Sequence, residues 1–253
     1  FNIPLLPHYL SGIVLAQSDR IMIQKMIGDS AAGIYGVSYN LSQVIQGVFT
    51  GINAALIPFT YKSLKKENYK KIGDYSNILL IFIGIISILL VICTPEIIKI
   101  LAPVEYYEAI WVVPPIVLGL YFSFLSSLFG NIEFYYKKNI FVTIATSCAA
   151  VLNIVLNAIF IPKYGFVAAG YTTAVGYLVL VISHYIFMNK IQPQKIYNIK
   201  ILTIISVFVV LLTFIFMSLY DYFVIRYIIL GIIFLLILIN LKKILRFIKM
   251  KNG

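Results

Sequence analysis

The sequence predicts an all-α polytopic membrane protein of about eight transmembrane helices, and three observations carry that expectation. Of its 253 residues, 61% are hydrophobic and only 11% charged, where a soluble domain carries about 25% charge. Apolar runs of about 20 residues, the length a self-bonded helix needs to cross a ~30 Å hydrocarbon core, follow one another almost end to end. The basic residues collect between these runs, and they do so unevenly.

Taken in order, the first span runs from about Ile3 to Met26, and Asp29 or Ser30 in the link after Gly28 can cap its successor. The second, Ala31 to Thr60, exceeds what a bilayer needs and leads into Lys62, Lys65, Lys66, Lys70 and Lys71. The third covers Ser76 to Cys93, and a link with Pro95, Glu96, Lys99, Pro103, Glu105 and Glu108 follows. In the fourth, Ala109 to Phe129, Pro114 and Pro115 remove backbone donors and are expected to kink the helix near its start. The fifth, Ile140 to Ile161, stops at Pro162, and Lys163-Tyr164-Gly165 turn tightly into the sixth, Phe166 to Met188. Two very aliphatic spans, Ile201 to Tyr220 and Phe223 to Ile239, precede a basic tail from Lys242 to Lys251.

The net charge of +11 points to nucleic acid only if the basic residues share one folded face. Here fifteen of the twenty follow even-numbered spans, leaving Arg20, Lys25, Lys99, Lys163 and Arg226. Lys and Arg mark cytoplasmic links, so both ends of the chain and every link after an even span are expected in the cytoplasm, and no nucleic acid is expected as partner. Trp111, Tyr106, Tyr107, Tyr135 and Tyr136 fall at span boundaries, where an aromatic belt belongs. Cys93 and Cys148 lie in apolar runs without ligand spacing and read as small buried thiols. No metal, cofactor or covalent chemistry is expected. The start at Phe1 and the lack of a cleavable leader pattern read as a fragment without a signal peptide.

Few residues are candidates for function. Asp19 and Arg20 fall inside the first span, where a charge costs a few kcal/mol unless paired or wet. Neighbouring helical positions point about 100° apart, so they do not neutralise each other. Either Arg20 meets an anionic substrate in a polar cavity while Asp19 bonds a neighbouring helix, or Arg20 snorkels outward while Asp19 caps a kink. Lys25, nearer the surface, suits an interface anchor, and Arg226 snorkelling. Asn153 and Asn157, four apart, either glue helices together or line a pathway. Gly47 and Gly51 form a small-xxx-small pair for close helix approach, and the sixth helix, from Ala168 to Gly176, is small-sided throughout. Glu133 reads as solvated beside Lys137, Glu96, Glu105 and Glu108 as a solvated acidic face, and His8 and His184 as isolated.

Three stretches carry a family resemblance. DRIMIQKMIGDSAAGIYGVSYNLSQ (Asp19 to Gln43) resembles the junction of the seventh and eighth helices in the polysaccharide biosynthesis or oligosaccharide flippase family, of the multidrug, oligosaccharidyl-lipid and polysaccharide exporter superfamily. PPIVLGLYFSFLSSLFGNIEFYYKK (Pro114 to Lys138) is similar to its tenth helix, and NIVLNAIFIPKYGFVAAGYTT (Asn153 to Thr173) to its eleventh and twelfth. The resemblance makes the chain helices seven to fourteen: residues 1–190 a C-terminal six-helix transport bundle, and residues 191–253 two additional helices with a basic tail. It implies alternating access in the bacterial inner membrane, moving an undecaprenyl-diphosphate-linked oligosaccharide for O-antigen or capsule assembly, with H+ or Na+ as coupling ion and membrane lipid and polysaccharide assembly proteins as partners. It makes Arg20 the candidate for the diphosphate and Lys25 a weaker one, with Asp19, Asn153 and Asn157 also in the substrate-binding set, and the helices from Ile201 to Ile239 a groove for the lipid tail. A multidrug cation antiporter of the same superfamily wants an acidic cavity, and this chain has only Asp19 well immersed. A membrane glycan polymerase or ligase needs a sizeable loop domain, and the longest external link is about fifteen residues.

Overall fold

The computed structural model describes residues 6–232 and Leu235. The first residues of the first expected span, the end of the eighth and the basic tail lie outside the described residues. The described chain is helical with no strand. Helix α1 (Leu6–Met26) closes on Ile23, whose carbonyl accepts from both Ile27 N and Gly28 N. Gly28, at φ +133°, then turns the chain directly into α2 (Asp29–Lys65). The expected cap is not made: Asp29 is already helical, and its carboxylate accepts from Gln24 Nε2 at 2.8 Å.

The 37 residues of α2 correspond to roughly 55 Å at ~1.5 Å per residue, so the helix overshoots a bilayer as expected and takes Lys62 and Lys65 with it. After a short link, the Asn68 side chain caps α3 (Tyr69–Leu101) by accepting from Lys71 N. Pro95, Glu96 and Lys99, expected in a link, lie inside this helix. A proline removes the N–H that would bond the carbonyl four residues back, here Val91. Tyr220 Oη donates to the Val91 carbonyl at 2.9 Å, so the later part of the chain satisfies the group that Pro95 frees and the helix continues.

A 3-10 helix (Val104–Trp111) leads to α4 (Val113–Tyr135). Pro114 and Pro115 sit at its first positions, where their missing donors are not needed, so they start the helix and do not kink it. Then come α5 (Asn139–Tyr164), which passes through Pro162 and ends on Gly165 at φ +74°, and α6 (Val167–Ile191). Finally come α7 (Ile199–Ser218) and α8 (Phe223–Ile232), and Leu235 beyond it is also helical.

Among the described residues six helices, α2 to α7, are long and apolar enough to cross a membrane. Helix α1 is not among them, because polar and charged residues interrupt its apolar character. Apolar side chains such as Ile144, Val151 and Val155 on α5, and Ile204, Phe208 and Leu211 on α7, are exposed. A polytopic membrane protein presents such faces to lipid. Cys148 is exposed on that α5 face and is not a core thiol, and Cys93 is only half-buried.

Helix α4 is buried along nearly its whole length and is packed by α2, α3 and α6. The small residues of α6 allow close approach on two sides: a Cβ on Gly170 would come within 2.9 Å of the Pro115 ring of α4, and one on Gly176 within 3.3 Å of Leu15 of α1. Gly47 and Gly51 behave differently from expectation. Nothing lies within 4 Å of a Cβ built on either, because that face of α2 is turned away from the other described helices.

Links after even-numbered helices meet at one end of the bundle. There Tyr61 packs on Tyr135 with ring centroids 5.3 Å apart, and Tyr136 Oη donates to Gln192 at 2.9 Å. Links after odd-numbered helices meet at the other, where Ile34, Ile98, Ala109 and Phe166 cluster and Trp111 packs on Tyr220. In a protein lacking Cys93 and Cys148, single cysteines at Lys66 and Lys163 will react with an impermeant maleimide from opposite sides of the membrane. Labelling of both from one side contradicts this threading.

Candidate functional site

Among the described residues Asp19 is the centre of the most extensive buried polar network. Its carboxylate is 1% exposed and accepts three hydrogen bonds, each from a different helix. Tyr35 Oη of α2 donates to Oδ2 at 2.5 Å, Thr173 Oγ1 of α6 to the same oxygen at 2.6 Å, and Asn157 Nδ2 of α5 to Oδ1 at 2.6 Å. The donors are themselves held. Asn153 Oδ1 accepts from Ser18 at 3.1 Å and from Asn157 at 3.2 Å, while Asn153 Nδ2 donates to Thr173 at 3.2 Å. Thr172 Oγ1 donates to Asn157 Oδ1.

Magnitudes explain why the carboxylate is tolerated. A central acid costs about 3 kcal/mol on insertion scales, and a hydrogen bond to a charged group returns about 1.5–3 kcal/mol. Three such bonds balance the cost without a cation. No ion pair to Asp19 occurs among the described residues. Asn153 and Asn157 are fully buried within this network, so they join helices as glue would.

Arg20 turns the other way. Its Nη2 donates to the Gly36 carbonyl at 2.9 Å and to Asn40 Oδ1 at 3.0 Å, and its guanidinium lies 5.3 Å from the Tyr39 ring centroid. Its Nε is buried without a partner. The guanidinium is thus pinned along α2 beside an exposed Asn40, with donor capacity left over. Lys25 is exposed in the last turn of α1 and stands apart from this group.

Two pairs, one buried and one half-buried, were not apparent in the sequence. Glu133 is inside α4, fully buried, and its Oε1 lies 2.9 Å from His184 Nδ1 of α6. Glu133 is therefore not solvated beside Lys137, nor is His184 isolated; His8 likewise bonds Thr146 at 2.8 Å. Arg226 is 1% exposed and does not snorkel. Its guanidinium grips Glu96 through two bonds of 2.8 and 2.6 Å and the Ile92 carbonyl through a third of 2.5 Å, joining α8 to α3. Glu96 accordingly leaves the acidic face expected on the link. These partners are 51 and 130 residues apart, beyond any local spacing rule. No group of three or more His, Cys, Asp or Glu side chains suited to a metal occurs among the described residues.

A helical membrane-spanning bundle with a buried polar network at its first four-helix contact is the class that fold and site define. Residues 1–64, which hold α1 and almost all of α2, match the family described as polysaccharide biosynthesis protein. Protein 1 of the Lsg locus of Haemophilus influenzae is 33% identical over 67 residues, covering 26% of this chain and 17% of that protein. A membrane protein of Methanocaldococcus jannaschii, itself uncharacterized, is 25% identical over 207 residues, covering 79% of this chain and 40% of that protein. Over its first two helices the chain is thus similar to polysaccharide biosynthesis proteins. The chain spans less than half the length of the curated relatives it matches. No solved structure matches it.

Replacing Arg226 with Met leaves Glu96 without its cation and removes a donor from the Ile92 carbonyl. Breaking such a pair costs about 3 kcal/mol where it is desolvated, so the Tm of the purified protein will fall by several degrees. Adding Glu96→Gln will recover part of the loss. Equal Tm values for wild type and Arg226→Met contradict the pairing.

Proposed function

We propose that the chain is the C-terminal part of a flippase that moves undecaprenyl-diphosphate-linked oligosaccharide units across the bacterial inner membrane by alternating access, for O-antigen or capsule-type polysaccharide. The observation that carries this reading is the exposed face of α2 beside Arg20. Asn40, Gly47, Thr50, Gly51 and Ala54 are exposed there, with Val44 the one exposed large aliphatic side chain among them, whereas α5 and α7 expose many bulky aliphatic side chains. A face of mostly small side chains with Asn40, Thr50 and one pinned guanidinium suits a wetted cavity that receives a diphosphate better than the bulky aliphatic faces of α5 and α7 do.

In this reading residues 1–190 form the second six-helix transport bundle, and residues 191–253 add two further helices. Arg20 contacts the diphosphate, Lys25 guides it at the cavity mouth, and Asn153 and Asn157 brace the wall behind it. Asp19, a buried carboxylate without a cationic partner among the described residues, is the group that suits a coupling ion, H+ or Na+. The basic end of the bundle faces the cytoplasm, polysaccharide assembly proteins work beside it, and transport requires no covalent chemistry from this chain.

Deleting the gene will trap lipid-linked repeat units on the inner leaflet and remove the surface glycan. Restoring the gene with Arg20→Ala will leave the protein at wild-type level in the membrane while glycan export falls at least tenfold. Normal glycan in the deletion strain, or full export by Arg20→Ala, rejects the assignment.

A further inference from the structure

At the basic end of the bundle, the start of α3, the end of α6 and the 192–198 link enclose a cavity of about 710 Å³. Lys70, Lys195 and Lys200 line it, with Asp74 as its acid. None of the three lysines makes an ion pair among the described residues. Asn77 also lines the cavity, and its Oδ1 is buried without a partner. The first turn of α7 opens into the same space, with Asn198 as its cap, and a helix N-terminus favours anions.

This polar cavity adjoins an apolar one. Tyr185 and Ile199 line both, and from there a groove of about 380 Å³ runs between α7 and the α4–α6 pair, past Phe129 and Leu202 to Val207 and Leu211. From Ile199 to Leu211 the rise is roughly 18 Å at ~1.5 Å per residue, close to half of a ~30 Å hydrocarbon core. The groove therefore has the length of one leaflet.

We propose that the two cavities together bind one anionic glycerophospholipid from the leaflet at the basic end. Its phosphate sits among Lys70, Lys195 and Lys200, and one acyl chain lies along α7 between Tyr185 and Leu211. Three lysines against one acid leave a positive balance that a phosphodiester neutralises. The groove's length matches a single acyl chain and is short for a polyprenyl chain that must pass the bilayer centre. The bound lipid would fill the seam between α7 and the rest of the bundle, and the inference stands whether or not the chain belongs to a flippase.

Native mass spectrometry of the full chain released from detergent, with added phosphatidylglycerol or phosphatidylcholine, tests this. The expected result is one phosphatidylglycerol retained under activation that strips phosphatidylcholine. The triple variant Lys70→Gln, Lys195→Gln, Lys200→Gln will lower the bound fraction at least tenfold, and arginine at the same three positions will retain it. The triple variant Lys62→Gln, Lys65→Gln, Lys66→Gln, outside the cavity, will bind as wild type. Leu211→Trp, which fills the groove, will weaken phosphatidylglycerol and leave inorganic phosphate unaffected. Equal losses in the two glutamine triples, equal retention of phosphatidylcholine, displacement by inorganic phosphate at lipid concentrations, or tighter retention of a polyprenyl phosphate overturns the proposal.

Discussion

A carboxylate inside the span region, held without a cation, is the constraint around which the first half of this protein is organised. Asp19 cannot remain ionised there unless donors come to it, and those donors arrive from α2, α5 and α6. Residues more than 130 positions apart are thereby fixed to one another. Because Asp19 and Arg20 are adjacent, tying the first inward aims the second along α2. The packing interaction and the candidate binding group are two consequences of one dipeptide.

A second set of obligations holds the later helices. Lipid offers no hydrogen bonds, so a carbonyl freed by proline must find a partner within the protein. Pro95 frees Val91, Tyr220 answers it, and Arg226 reaches the next carbonyl at Ile92 while clasping Glu96. Helices α7 and α8 are thus joined to α3 through polar contacts at one end. Along the rest of α7 an open groove separates it from α4 and α6, although Tyr121 and Ser206 meet at 3.1 Å and Tyr197, just before α7, donates to the Leu128 carbonyl at 2.9 Å.

Much of the fold was legible because a bilayer enforces simple rules. Length and hydropathy located the helices, and alternating lysines matched the ends at which the links meet. Boundaries were less legible where proline was taken for a break: Pro95 and Pro162 lie within helices, and Pro114-Pro115 begin one. The pairing of buried polar groups was least legible. Asp19, Asn153 and Asn157 stood out as candidates, since charge and amides are rare in spans, yet Tyr35, Thr172 and Thr173 looked like ordinary packing residues. Glu133 and His184, or Glu96 and Arg226, meet only through tertiary structure, and no local spacing marks them. Gly47 and Gly51 carried a packing signal that no described helix receives, since a small-residue pattern states where close approach is allowed and leaves open what approaches.

The central claim is that the Asp19 carboxylate joins four helices, and the proposed transport role adds that its negative charge is needed. The most direct measurement compares Asp19→Asn with Asp19→Ala for folded protein in the membrane and for glycan export. Asparagine keeps an acceptor for Tyr35 and Thr173, so the account predicts near-normal folded protein with export reduced at least tenfold, while alanine lowers both. Wild-type export from Asp19→Asn, or undiminished folding of Asp19→Ala, would contradict it.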